Sequence, residues 1–285
     1  MKVAFSPIVS AEDLLAIYKT ENILLVDASN GQNSEASYTV KHLDGAIFID
    51  SSTQLATIQP DAAIGGRHPL PTIEDFSQTL GNLGITPQTR IVVYDDKNGA
   101  NAAARFWWML QSIGHKKVQV LDGGIQAAER IGFPVNCEEV VIPKTPRYPC
   151  VAWQLPLSSI EEVERVAQTT HTVIDVREAY RYNGESEPID TIAGHIPGAI
   201  NLPFTQNLDE NGFFLSPIAL REKYLTINPN HLGENTIVHC GSGITACHTL
   251  LAMYYAGLPI AKLYVGSWSE WSRNKKLIVT NDITN

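Results

Sequence analysis

Short apolar runs rich in β-branched residues recur along the chain, each followed by a turn and then by a stretch with helical spacing. ILLVDASN at 23–30 and VIDVRE at 173–178 read as buried strands that end in turns. The pattern is written twice. HLDGAIFI at 42–49 pairs with HIPGAINL at 195–202, IVVYDD at 91–96 with IVHCGS at 237–242, and LDGGIQAA at 121–128 with YVGSWSEW at 264–271. Positions 42 and 195 are 153 residues apart and positions 121 and 264 are 143 apart, which marks a tandem duplication of a whole domain with loops of different length.

Helical patterns alternate with these strands. SAEDLLAIYKT at 10–20 and SSIEEVERVAQ at 158–168 open on serine caps, at Ser10 and at Ser158 or Ser159. AAARFWWMLQSIG and the stretch Ala246 to Leu258 follow the loop strands, the second of which ends at Cys240. This alternation predicts an α/β fold of two tandem domains. Each has a mainly parallel sheet flanked by helices, with ligand sites where strand C-termini meet helix N-termini. The prolines at 143, 146 and 149 cannot donate to a ladder, so 141–150 reads as an extended linker between domains 1–140 and 151–285.

Composition narrows the class. The 285 residues suit two domains, and the 44% apolar and 18% charged fractions suit packed cores. No run of about 18 apolar residues suggests a membrane span. The N-terminal stretch is broken by Pro7 and turns acidic early, unlike a signal peptide, so a cytoplasmic location is expected. Cys137, Cys150, Cys240 and Cys247 have no zinc-type spacing, and reduced thiols are expected, with no metal. A net charge of −9 without a basic run argues against nucleic-acid and anionic-membrane partners. An anionic substrate would need a local cluster of amides and arginines.

The candidate chemistry sits in CGSGIT at 240–245. Glycines at 241 and 243 let successive N–H groups point inward, and the following helix adds its positive end. Such a concavity suits an anion and favours the thiolate of Cys240, a nucleophile. Cysteine phosphatases carry an arginine six residues after the nucleophile, and that position here is Ala246, which turns the reading away from phosphoryl transfer.

The loop resembles that of the rhodanese, or sulfurtransferase, family, in which the cysteine carries a persulfide, and the resemblance spans nearly the whole chain. Thiosulfate-using members have a cationic CRKGVT loop and mercaptopyruvate-using members CGSGVT; this loop is similar to the second, with Ile244 for valine. The resemblance implies Cys240 and Ser242 as catalytic residues. Arg181, Gly241, Gly243, Ile244, Thr245 and His68 are the implied substrate contacts. Relatives specific for mercaptopyruvate carry a second arginine in EPRD, where this chain has EPID with Ile189. An aspartate that would accompany Ser242 and His68 falls near Ser52, leaving Asp50 and Asp61 as stand-ins, and a surface role for His68 stays open. In the first copy Asp95 replaces the cysteine, so that domain is expected to be non-catalytic and to narrow the cleft, with GRHPLP at 66–71 reaching in.

The implied function is transfer of a sulfane sulfur from a small anionic donor, 3-mercaptopyruvate favoured, to a thiol acceptor such as thioredoxin, or to cyanide. No cofactor is expected. Thiosulfate as donor and a persulfide carrier module are the alternatives. Asp175, Arg177, His195, Pro197 and Gly198 read as structural, His239 as satisfied within the sheet, and Cys247 as packed, with a disulfide to Cys240 to be tested.

Overall fold

In the computed structural model, described for residues 5–167, 169–227 and 232–280, the chain forms two five-stranded parallel sheets. The first half runs β1 (Ile8–Val9), α1 (Ala11–Ile17), β2 (Ile23–Asp27), α2 (Ser34–Val40), β3 (His42–Leu43) and β4 (Ile47–Phe48). It continues with α3 (Ile73–Asn82), β5 (Arg90–Tyr94), α4 (Ala102–Ser112), β6 (Val118–Leu121), α5 (Gly124–Arg130) and β7 (Val135–Asn136). The second half has β8 (Leu157–Ser158), α6 (Ile160–Val166), β9 (Thr172–Asp175), α7 (Ala179–Asn183) and β10 (Ile200–Asn201). A 3-10 turn at Phe204–Asn207 precedes α8 (Pro217–Ile227), β11 (Thr236–His239), α9 (Thr245–Tyr255), β12 (Lys262–Tyr264) and α10 (Ser267–Trp271).

The strand orders are β1-β6-β5-β2-β4 and β8-β12-β11-β9-β10, the same topology twice, as the duplicated pattern predicts. In register, Asp27 faces Tyr94 across β2 and β5, and Asp175 faces His239 across β9 and β11. Asp95 and Cys240 therefore leave equivalent strand ends. Ser10 caps α1 by accepting the Asp13 amide, and Ser159, of the two candidates, caps α6 by accepting the Glu162 amide. Gln168, the last residue of that predicted helix, lies outside the described residues, as do the first four residues of the N-terminal stretch. Among the described residues no helix is long and apolar enough to cross a membrane.

The chain divides into two compact units, one of residues 1–57, 71–155 and 209–214, the other of 58–70, 156–208 and 215–285. In the first, α4 is buried on every side, with Trp107 and Trp108 fully enclosed. Proline-bearing residues 141–150 hold no regular element and run along the first unit, where the Thr145 and Tyr148 amides donate to the Gly81 and Ser77 carbonyls. In the second, Val163, Val173, Ile196, Ile237, Tyr264, Trp268 and Trp271 form the core under the sheet. Each large apolar side chain so buried contributes on the order of 1.5–3 kcal/mol.

The segment that carries GRHPLP belongs, through Leu70, to the second unit and not to the first-half domain in which the sequence reading sets it. Its backbone is the reason. The Gly65 amide donates to Glu270 Oε1 at 2.9 Å and the Arg67 amide to Ser269 Oγ at 3.0 Å. Gly66, at φ +81°, lies so close to Gly266 that a Cβ would come within 2.4 Å of its carbonyl oxygen.

Candidate functional site

Strand β11 is buried throughout, and Cys240, also buried, is the first residue beyond it. The Cys240 amide donates to Ser267 Oγ at 3.2 Å. The Cys240 and Gly241 carbonyls accept the Trp268 and Ser269 amides, at 3.0 and 2.9 Å, from the start of α10. Because a trans peptide points its N–H opposite its C=O, these bonds turn the Gly241 and Ser242 amides away from α10. The Gly243 amide donates to Cys240 Sγ at 3.1 Å. Gly243 stands at φ +76°, and a Cβ there would lie 2.6 Å from the Val265 carbonyl oxygen, so only glycine fits. Ile244 is buried, Thr245 half-buried at the start of α9, and both complete the loop wall.

Ser242 and His68 are brought together: Ser242 Oγ lies 2.9 Å from His68 Nδ1. The two aspartate stand-ins cap their own turns. Asp50 Oδ1 accepts the Ser52 and Thr53 amides, and Asp61 Oδ1 accepts the Ala63 amide.

Two guanidiniums face the loop. A Cβ added to Gly241 would sit 3.1 Å from Arg67 Nη2 and 3.4 Å from Arg181 Nη2, so the missing side chain at 241 is the space these cations use. Arg181 is buried on α7. Its Nε contacts both oxygens of Glu187 at 3.1 Å, and its Nη2 donates to Oε1 at 2.8 Å. Burial opposes the Arg181 charge, but the Glu187 hydrogen bonds and charge outweigh it and hold the group above its ordinary pKa. Ile189 is 56% exposed, and its amide donates to Glu187 Oε1 at 3.1 Å.

Asp190 ties the arginines together. Its Oδ1 accepts from Arg67 Nη1 and, at 2.8 Å, from Arg273 Nη1, while its Oδ2 faces Arg181 Nη2 at 3.6 Å. Sequence reasoning did not single out Arg67, Arg273, Asp190 or Glu187. For Arg67 a signal existed, since it directly precedes His68 in a chain with few charged residues.

Arg177 pairs with Asp175 and Glu187, donates to the Gly194 carbonyl at 2.6 Å and lies over the Trp268 ring. Burial raises the Asp175 carboxyl, but His239 and Arg177 outweigh it and keep the group below its ordinary range. Burial lowers the His239 imidazole, against the pull of Asp175, and its Nδ1 lies 3.2 Å from the Cys240 carbonyl oxygen. His195 stacks on Tyr182 and bonds its carbonyl. Cys247 is buried with its thiol on the Gly243 carbonyl. Among the described residues no group of three or more His, Cys, Asp or Glu side chains is placed to hold a metal.

The equivalent loop in the first unit is filled by its own residue. Asp95 Oδ1 accepts the Lys97 and Gly99 amides and Oδ2 the Asn101 and Ala103 amides, at 2.9 to 3.2 Å. Four N–H groups of a strand-to-helix loop thus converge on one anion. Full burial still raises the Asp95 carboxyl from its ordinary 3.8 to about 6.

The rhodanese-like domain model matches residues 10–130 and 159–274. The chain is 33% identical over 283 residues to a probable 3-mercaptopyruvate sulfurtransferase of Pseudomonas aeruginosa, covering 96% of this chain and 98% of that one. It is 35% identical over 250 residues to the thiosulfate sulfurtransferase of Mus musculus, covering 85% and 81%. The structure of 3-mercaptopyruvate sulfurtransferase from Leishmania major superposes with a TM-score of 0.83 at 28% identity, covering 95% of this chain and 75% of the other.

Proposed function

Since this chain belongs to the rhodanese family and is a sulfurtransferase, we propose that it takes the sulfur of 3-mercaptopyruvate onto Cys240 and passes it to a thiol such as that of thioredoxin, or to cyanide. The observation that carries this reading is the convergence of Arg67 and Arg181 on Gly241, beside a serine that is hydrogen-bonded to a histidine. A carboxylate held by the two guanidiniums leaves the rest of a three-carbon donor facing the sulfur.

In the first half-reaction the Cys240 thiolate attacks the donor sulfur. The carbon–sulfur bond breaks, its electron pair passes to the enolate of pyruvate, and Cys240 is left as the persulfide. The enolate takes one proton, which Ser242 delivers and His68, hydrogen-bonded to it, replenishes. In the second half-reaction the acceptor attacks the outer sulfur, the sulfur–sulfur bond breaks, and the thiolate returns. The Gly243 amide, which donates to Sγ, and the amides of Gly241 and Ser242 stabilise charge on sulfur in both forms. Arg67 supplies the second cation that Ile189 does not.

The reading favours a cytoplasmic enzyme that needs no metal or organic cofactor. The test is thiocyanate formation from cyanide with 3-mercaptopyruvate or thiosulfate as donor. A kcat/KM for mercaptopyruvate well above that for thiosulfate supports the assignment. The reverse order would replace it with thiosulfate sulfurtransfer, and a single sulfur transferred per chain would point to a carrier.

A further inference from the structure

The charges around the loop can be counted. Arg67, Arg177, Arg181 and Arg273 meet the carboxylates of Asp175, Glu187 and Asp190 through direct ion pairs. Glu178 stands at the rim, 41% exposed and 3.9 Å from Arg181. The four guanidiniums meet three enclosed carboxylates, Glu178 at the rim and, in the reactive form, the Cys240 thiolate, so the charge beside Gly241 is closely balanced and one carboxylate more or less shifts it. Of the three carboxylates, only Asp190 touches both guanidiniums that face the loop.

We infer that Asp190 sets donor specificity by charge, neutralising one guanidinium so that the site matches a monoanionic carboxylate donor better than a dianionic sulfur oxyanion. The inference rests on the proposed function and deepens it. A dianion interacts with every nearby charge twice as strongly as a monoanion does, so adding or removing one protein charge changes the two affinities unequally. The enclosed setting of Asp190, whose side chain has no exposed surface, limits screening by salt.

The geometry supplies an isosteric probe. Asp190 Oδ1 takes both arginine hydrogen bonds, while Oδ2 accepts none. In Asp190→Asn the amide oxygen can keep the bonds of Arg67 and Arg273, and the amide nitrogen replaces the unbonded oxygen. One negative charge is lost with no hydrogen bond lost.

Both donors leave the same persulfide, so the ratio of their kcat/KM values with cyanide as acceptor reads the donor half-reaction alone. In Asp190→Asn the thiosulfate-to-mercaptopyruvate ratio is expected to rise at least tenfold, equivalent to about 1.4 kcal/mol, mainly through a lower KM for thiosulfate. Arg273→Gln removes a cation from the other side of the same carboxylate and should lower the ratio. A merely structural role would depress both donors alike and could not give shifts of opposite sign. An unchanged ratio in both folded variants, or a shift of the same sign in both, overturns the inference while leaving the sulfurtransfer reading intact. If Asp190→Asn does not fold, the ratio in Arg273→Gln decides alone. Retained transfer by Cys240→Ser would instead overturn the underlying reading, whatever the Asp190 result.

Discussion

His68 Nδ1 lies 2.9 Å from Ser242 Oγ, across 174 residues of sequence, within the same compact unit. The pair puts a group able to exchange protons on the same loop as the buried Cys240, two residues further along. For mercaptopyruvate, whose departing carbon must be protonated, Ser242→Ala or His68→Asn should lower kcat on the order of 100-fold. With thiosulfate, whose leaving sulfite needs no such proton, the loss should stay within severalfold. Parallel donor assays check this, and equal losses for both donors would remove the pair from proton transfer.

Cys240→Ser should reduce transfer from every donor below detection, because a hydroxyl carries no sulfane sulfur. Circular dichroism and an unchanged unfolding midpoint would show that the loop, held by Ser267, Trp268 and Ser269 through backbone groups of residues 240 and 241, is intact.

Arg181→Ala should raise KM for the donor by about 10- to 100-fold, the loss expected from one charge-assisted contact. The fall in kcat should be smaller, as for a group that binds the donor equally before and during reaction. Arg67→Ala should behave alike. Steady-state kinetics with varied donor and saturating acceptor separate the two parameters, and an unchanged KM would take either arginine out of the donor site.

Gly243→Ala should cost about 1–3 kcal/mol, since φ +76° disfavours an L side chain and the new Cβ meets the Val265 carbonyl. The displaced Gly243 amide would no longer reach Sγ, so activity should fall more than stability. Urea unfolding and a single-turnover assay measure the two effects. Wild-type activity in this variant would mean the amide contributes nothing.

Asp95 gives a pH signature of opposite sign to a salt-bridged carboxylate. Its pKa is raised by burial from 3.8 in the free group to about 6 in the fold. Between about pH 4 and pH 6 the native state therefore holds this proton more tightly than the unfolded chain does. Its stabilising contribution is complete below pH 4 and is lost as pH rises through 6. The stability of the parent minus that of Asp95→Asn should fall across this window and then level off. Asp122, also raised to about 6 by burial, is present in both proteins and cancels. Equal pH slopes for parent and variant, measured by denaturant titration, would show that Asp95 titrates as in the unfolded chain.

What the sequence determined alone is what depends on near neighbours along the chain. The duplication, the alternation of strands and helices, the serine caps and the Cys240 loop are each written within a few residues, because periodicity, capping and glycine-bearing turns are local properties. The equivalence of Asp95 and Cys240 was legible for the same reason. Ile189 stands where mercaptopyruvate-specific relatives carry an arginine, which the sequence showed, but the approach of Arg67 to Gly241 was not visible. Tertiary structure decided that, by folding residues 58–70 onto α10 so that Arg67 reaches Gly241. It also gathered Arg67, Arg181 and Arg273 on Asp190, from three distant parts of the chain. A buried charge is tolerated only with a partner, and which partner it finds depends on distances in space that no spacing along the sequence encodes.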